Sequence, residues 1–275
     1  MAEQSKRYDQ IDELLAQKEQ EIAILKEEKV RMEKELNLAK DIQLNMIPIS
    51  HPNFSGRTDF ELYAKLISAR EVGGDFYDYY LLDDDHLGIV IGDVSGKGVA
   101  AGFMMAVCKA LLKSRATTDF SPASIISHVN QEMAVNNPNY MFTTVFFGML
   151  NLTTRELVYT NAGHNPTYIR KKDGTLLKLG TLHGPVVAAM EDLVYGETKV
   201  QLDHGDVIFA YTDGITEAHN SASELFSELR LCQSLEKPFK NVKETVEQIF
   251  MDILLFERGA EQFDDITALC VELKG

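Results

Sequence analysis

The sequence predicts an α+β protein in which antiparallel β-sheets are flanked by paired helices and preceded by one long N-terminal helix. Three observations predict it. Residues 1–46 contain neither Gly nor Pro and are dominated by Glu, Lys, Gln and Leu. From about Phe54 the chain changes to short β-rich runs, many joined by turn chemistry such as Asp83-Asp84-Asp85, Lys172-Asp173-Gly174 and His204-Gly205-Asp206. Helical stretches do not alternate regularly with those runs, which disfavours a doubly wound parallel sheet.

The N-terminal helix carries apolar residues at alternating spacings of four and three: Ile11, Leu15, Ile22, Leu25, Met32, Leu36, Ala39 and Met46. Lys18, Lys29 and Gln43 fill the remaining positions of the stripe. Two such stripes bury each other as a coiled coil, with the polar members weakening the pairing but fixing its register. The alternative is a single helix docked on its own body. Pro48 and Pro52 stop the helix. Residues 1–47 are therefore expected to form a coiled-coil, dimerisation and regulatory helix, and 48–275 a folded domain.

Within that domain, strands are expected over Phe60 to Ile67, Phe76 to Leu82, Leu87 to Val94, Phe142 to Leu150, Leu157 to Thr160, Thr167 to Arg170, Val194 to Leu202, Val207 to Tyr211 and Ile266 to Leu273. Helices are expected over Val99 to Ser114, Ser121 to Val135 and Val242 to Phe256. No repeat at solenoid period is evident.

Composition narrows the function. The 275 residues are 45% hydrophobic and 25% charged, an ordinary globular mixture. Asp plus Glu number 42 against 27 Lys plus Arg, a net charge of −15. Such a surface repels phosphate backbones and anionic lipid, so neither nucleic acid nor membrane is expected as a partner. It favours divalent cations or basic partners. Cys108, Cys232 and Cys270 lie far apart without a Cys-x-x-Cys pair, which excludes a disulfide framework or a thiolate zinc site. They read as small buried hydrophobes. The polar N-terminus has no signal-peptide pattern, and the longest apolar stretch, Gly98 to Cys108, is too short to span a bilayer. A soluble, cytoplasmic protein is expected.

The aspartates fall where apolar strands begin or end. Asp75 lies at the mouth of a strand in Glu71-Val72-Gly73-Gly74-Asp75-Phe76-Tyr77-Asp78. Asp93 ends Gly88-Ile89-Val90-Ile91-Gly92-Asp93, and Asp213 ends the run from Val207. Asp264 and Asp265 precede the last strand. A carboxylate so placed has its backbone held by a sheet while its head points into a cleft. Hard oxygen ligands meeting in one cleft select Mg²⁺ or Mn²⁺ over zinc. Singly, each has a plainer explanation: Asp213-Gly214 as a turn, Asp93 as a helix cap, Asp265 as a surface carboxylate. The repetition of the placement favours a shared metal site.

A nucleotide loop is disfavoured. The phosphate-binding pattern needs four residues between its first glycine and the Gly-Lys pair. Here three separate Gly92 from Gly96, and Gly98 rather than Ser or Thr follows Lys97. What remains is a glycine-rich lead into a helix, with no support for a nucleotide-dependent kinase or switch.

Five ordered motifs carry a resemblance. The Glu71–Asp78 motif, Gly92-Asp93-Val94-Ser95-Gly96-Lys97-Gly98, Asn161-Ala162-Gly163-His164-Asn165-Pro166, Tyr211-Thr212-Asp213-Gly214 and Asp264-Asp265-Ile266-Thr267 occur in the order found in the bacterial SpoIIE/RsbU group. Those are metal-dependent serine/threonine phosphatases of the PPM (phosphatase 2C-like) superfamily. The resemblance covers about Asp41 to the C-terminus. It implies a central β-sandwich between helix pairs (αββα) and two Mn²⁺ or Mg²⁺ ions at one end. Asp93 resembles the carboxylate bridging both ions and the Val94 carbonyl a backbone ligand. Asp213 and Asp264 match further direct ligands, and Asp75 an acidic ligand acting directly or through water. Asp93 and Asp213 are the residues on which catalysis is expected to depend most. Asp265 stands where relatives often carry Asn and is expected behind the ligands.

The group's activity implies hydrolysis of phosphoserine or phosphothreonine by a metal-activated water, without a phosphoenzyme. The implied substrate is a phosphorylated anti-sigma-factor antagonist in a partner-switching, stress-response pathway. The helix near Ala39 to Pro48 resembles the group's lead-in to its catalytic domain, which implies a homodimer whose coiled coil sets activity. His164 is a general-acid candidate by type, but its turn setting reads as structural. Lys97 is open between a phosphate contact and a solvated lysine. The sequence departs from the group at Thr167 and at Gly184-Pro185-Val186-Val187-Ala188, which touches loop shape but no expected ligand. The competing function is a non-catalytic coiled-coil regulator that uses a phosphatase-like domain to bind partners. Retention of every candidate ligand argues against it, because packed carboxylates repel one another.

Overall fold

The structure is a computed structural model. It describes residues 2–50, 54, 56–135 and 137–275, with the side chains of 2–13 outside the description. The expected roles of Ile11 and Pro52 lie outside the described residues.

The elements run α1 (Ala2–Met46), β1 (Phe60–Ile67), β2 (Phe76–Leu81), β3 (His86–Val94), α2 (Val99–Ala116), α3 (Pro122–Ala134), β4 (Thr143–Asn151), β5 (Glu156–Ala162), β6 (Thr167–Arg170), β7 (Leu176–Leu179), β8 (Thr198–Gln201), β9 (Val207–Tyr211), α4 (Asp213–Glu217), α5 (Ser227–Leu235), α6 (Val242–Glu257) and β10 (Ile266–Leu273). Two five-stranded antiparallel sheets form, ordered β1-β10-β9-β6-β7 and β2-β3-β4-β5-β8. Their facing sides bury Leu62, Ile89, Ile91, Phe146, Tyr159, Ile208 and Leu269 among others. The outer side of the β2–β8 sheet packs on α2 and α3 through Met105, Leu112, Ile125, Val129 and Phe147. The outer side of the other sheet packs on α4 to α6 through Phe209, Tyr211, Leu231, Val246 and Ile249. The order of layers is helix, sheet, sheet, helix, with hydrophobic burial driving each of the three contacts.

Local chemistry sets the helix starts. Ser121 caps α3 by accepting from the Ser124 N–H, with Pro122 in the first turn, and Asn241 caps α6 by accepting from Glu244. Four elements depart from expectation. β7 was not foreseen, because Leu177 faces solvent and Lys178 interrupts the apolar run. α4 and α5 were not foreseen either: α4 is a single turn, and α5 buries only Leu231, Ser234 and Leu235. The run Val194 to Leu202 forms a strand only after Gly196, because Tyr195 turns into the α3 side, donating its hydroxyl to Asn130 Oδ1.

Helix α1 is docked only by its last turns. Leu15, Ile22, Leu25 and Met32 are each at least half exposed, whereas Gln43 is buried against the body. Gln43 thus leaves the open stripe and serves as a docking residue. No helix among the described residues is long and apolar enough to cross a membrane.

One buried ion pair ties α2 to the sheet beneath it: Lys109 to Asp78 of β2, both nearly inaccessible. Removing one partner strands the other charge in a low-dielectric setting. Lys109→Ala is expected to lower unfolding free energy by about 3–5 kcal/mol in urea denaturation. The paired change Asp78→Leu with Lys109→Met is expected to recover most of that loss.

Candidate active site

The sheet register brings the strand-end aspartates to one end of the sandwich. Phe76 and Gly92 are the last pair between β2 and β3, so Asp75 and Asp93 lie one residue beyond that pair, with Asp93 still paired to Thr144 of β4. The Val94 N–H donates to the Gly74 carbonyl at 3.4 Å, holding the Val94 segment beside the Asp75 turn. In the other sheet Tyr211 pairs with Ala268, and the Thr212 N–H donates to the Thr267 carbonyl at 3.1 Å. That places Asp213, at the start of α4, beside the Asp264-Asp265 lead into β10. Asp93 does not cap α2, whose cap position is Gly98.

Asp75 is buried, and its Oδ2 accepts from the Thr212 hydroxyl at 2.7 Å and the Thr267 hydroxyl at 2.5 Å. Burial holds its proton affinity well above the ordinary range, reinforced by the charges of Asp93 and Asp265. Asp93 is pushed up to about 7, first by burial and then by Asp213 and Asp264. Asp213 is raised by burial, by Glu217 and by Asp264. These carboxylates act on one another as a group of like charges, and such a group is relieved by added positive charge.

Asp265 does a different job. Its Oδ1 accepts from the Ala69 N–H at 2.8 Å, and its Oδ2 from Gly74 at 3.0 Å and Asp75 at 3.4 Å. With both oxygens committed to backbone donors, it fixes the turn that presents Asp75. The glycines on either side are required by contact: a Cβ on Gly73 would lie 1.9 Å from Asp265 Oδ2, and one on Gly214 1.9 Å from the Asp265 carbonyl oxygen. The same turn is gripped from α1, where Gln43 Nε2 donates to the Gly73 carbonyl at 2.7 Å and the Gly73 N–H donates to Gln43 Oε1 at 3.0 Å. Gln43, Thr212 and Thr267 were missed by sequence reasoning. Both threonines lie inside motifs already singled out; Gln43 had no local signal beyond breaking an apolar stripe.

Lys97 Nζ lies 2.8 Å from Asp264 Oδ2. His164 is buried, its Nδ1 2.8 Å from the Thr144 hydroxyl, and its backbone N–H donates to Asn161 Oδ1. Burial pushes the ring down to about 4, so it is neutral near pH 7 and has no proton to spare as a general acid. Its place is structural, under the strand pair Asp93–Thr144.

The expected donor set, the carboxylates of Asp75, Asp93, Asp213 and Asp264 with the Val94 carbonyl, is all oxygen, which fits Mg²⁺ or Mn²⁺ in chemistry. Among the described residues no three acidic, His or Cys side chains are gathered closely enough to hold an ion by themselves. Two of the expected ligands are engaged by other groups: Asp75 Oδ2 accepts from two hydroxyls, and Asp264 pairs with Lys97.

Two outcomes follow for the metal-free protein. Asp265→Ala frees three backbone donors and is expected to cost about 3 kcal/mol in urea denaturation, with Asp265→Asn recovering part of it. Asp93 keeps a proton in the folded chain that the unfolded chain releases, so its stabilisation is full below 3.8 and is lost as pH rises through about 7. His164 works the other way, its contribution present above 6.5 and lost as pH falls through about 4. Subtracting the Asp93→Asn melting curve isolates the carboxylate. In EDTA, the wild-type melting temperature is expected to fall relative to the variant between about pH 5 and 7 and to level off above about 8.

The comparisons with known proteins agree with this layout. The family model for Stage II sporulation protein E (SpoIIE) matches residues 83–274, a span that includes Asp93, Val94, Asp213 and Asp264 and begins after Asp75. The chain is 32% identical over 264 residues to Protein IcfG of Synechocystis sp., covering 86% of this chain and 41% of that protein. It is 26% identical over 248 residues to Phosphoserine phosphatase RsbU of Bacillus subtilis, covering 87% of this chain and 70% of RsbU. The chain thus spans less than half of the length of IcfG. The SiaA-PP2C domain of Pseudomonas aeruginosa shares the fold with a TM-score of 0.76 at 21% identity, covering 89% of this chain and 98% of that domain. Sandwich, motif order and family match lead to one assignment: this chain belongs to the SpoIIE family, with a PP2C-like αββα fold.

Proposed function

We propose that the chain is a Mn²⁺- or Mg²⁺-dependent protein phosphatase that hydrolyses phosphoserine or phosphothreonine. The observation that carries this is the mutual charging of Asp93, Asp213 and Asp264 at one end of the sandwich, where burial and repulsion together call for divalent cations. The phosphatase activity named for RsbU supports the same reading.

In this proposal Asp93, Asp213, Asp264 and the Val94 carbonyl would hold the ions, with Asp93 shared between them, and Asp75 would contribute directly or through water. Bound ions supply an activated water and neutralise phosphoryl oxygens. The chain's own residues do the rest. Asp265 and Gln43 fix the Gly73–Asp75 turn from opposite sides, and Thr212 and Thr267 aim Asp75. The ester is cleaved with no covalent step on a protein nucleophile.

The proposed substrate is a phosphorylated anti-sigma-factor antagonist in a cytoplasmic partner-switching pathway, by likeness to the SpoIIE/RsbU group. Residues 1–47 are proposed as the dimerising and regulatory helix, and 48–275 as the phosphatase domain. The half-exposed apolar residues of α1 suit a second copy of the same helix, and an apolar groove of about 140 Å³ between α1 and α2, walled by Ile42, Met46, Val99 and Phe103, continues that surface. Because Gln43 of α1 holds the Asp75 turn, pairing of the helices bears directly on the site.

Hydrolysis of an aryl phosphate tests the reaction. Activity is expected with Mn²⁺, abolished by EDTA, and reduced at least about a hundredfold by Asp93→Asn or Asp213→Asn. Activity indifferent to chelation, or surviving both substitutions, contradicts the two-metal mechanism. Metal binding without turnover of any phosphoprotein favours the non-catalytic regulator. Deleting residues 1–34 is expected to give a monomer with altered turnover; an unchanged dimer with unchanged turnover contradicts the proposed role of the helix.

A further inference from the structure

Lys97 belongs to the Ser95–Gly98 loop between β3 and α2, flanked by Gly96 and Gly98 at φ of +88° and +81°. The loop's base is fixed, since the Ser95 N–H donates to the Phe142 carbonyl at 2.8 Å and Ser95 Oγ accepts from the Phe142 N–H at 2.9 Å. From there the lysine stem crosses to the lead into β10. Its ammonium lies 2.8 Å from Asp264 Oδ2, donates to the Phe263 carbonyl at 2.8 Å and sits 4.4 Å from the centre of the Phe263 ring. A carboxylate, a carbonyl and an aromatic face around one ammonium form a seat for a cation.

Among the described residues this is the one ion pair made by Asp75, Asp93, Asp213 or Asp264. Its charge also reaches Asp213, where it offsets only a small part of the rise in proton affinity that burial, Glu217 and Asp264 impose. The Lys97 side chain is 29% exposed. It is therefore close enough to solvent to leave its seat without unfolding, and its stem is long and flexible.

We propose that Lys97 is a built-in counter-cation that competes with a divalent ion for the Asp213–Asp264 side of the site. The inference rests on the two-metal reading given above. The ammonium neutralises Asp264 while the site holds no ion. A divalent ion taking Asp264 must displace it, because two cations sharing one carboxylate at hydrogen-bond distance repel each other. Lys97 thereby weakens the second ion and holds the metal-free cleft together.

Opposite effects on two quantities separate this role from a purely structural one. Mn²⁺ binding is measured by calorimetry on wild type, Lys97→Gln, Lys97→Arg and Asp213→Asn at fixed ionic strength, with melting temperatures of the metal-free forms. Lys97→Gln is expected to bind its weaker ion about five- to tenfold more tightly while its metal-free form melts lower. Lys97→Arg keeps the charge and is expected to stay within about twofold of wild type. Should the Gln variant fail to fold, Lys97→Met takes its place with the same expectation. Unchanged or weaker Mn²⁺ binding in the neutral variants overturns the inference and leaves the two-metal reading standing. Absence of Mn²⁺ binding to wild type overturns that reading, and this inference with it.

Discussion

Everything at the candidate site depends on acidic residues that the sheets bring to one end of the sandwich. Asp75 precedes β2 beside Asp93 near the end of β3, and Asp213 follows β9 beside the Asp264-Asp265 lead into β10 at the facing sheet. Each of these residues lies in a ladder or within a few residues of one, so repulsion is relieved by protons, hydroxyls or cations rather than by separation. The structure displays each remedy: proton affinity raised on Asp93 and Asp75, threonine hydroxyls on Asp75, and an ammonium on Asp264. The cleft is thus strained in charge while its backbone is well held, the arrangement expected where stability is given up for function.

The second constraint is the Gly73–Asp75 turn. It is gripped by Asp265 from the β10 lead and by Gln43 from α1, and it admits no Cβ at Gly73. A carboxylate and a carboxamide therefore join three distant parts of the chain on one short segment. Through Gln43 the long helix is coupled to the position of Asp75, although its described large apolar residues from Leu14 to Met32 are at least half exposed. This gives the proposed dimerisation a physical route to the site in a single hydrogen-bonded step.

Much of this was legible in the sequence, for identifiable reasons. β1, β6, β9 and β10 were read with their observed limits, because their apolar and β-branched runs stop at turn residues. β7 and α5 escaped because each is short and partly solvated. The strand-end aspartates were legible as placements; Asp265 was set apart from them by the resemblance, and its oxygens accept from the amides of Ala69, Gly74 and Asp75. Thr212, Thr267 and Gln43 were not legible, since they act on partners 137, 192 and 30 residues away. Periodicity reports which face a residue occupies, and Gln43 sat at a seam position; it cannot report that the seam ends on a glycine turn. Likewise Lys97 looked like a phosphate contact or a solvated lysine, and only the crossing of its stem to Asp264 distinguishes a third role.

The central claim is that these aspartates form one two-ion centre, with Asp93 shared and Asp265 excluded. Anomalous diffraction from crystals grown with Mn²⁺ tests it most directly. The account predicts two manganese peaks about 3.5–4 Å apart, both touching Asp93, with Asp265 still on the amides of Ala69 and Gly74. Absence of bound manganese at this end of the sandwich, or an ion held by Asp265 in place of Asp93, would contradict it.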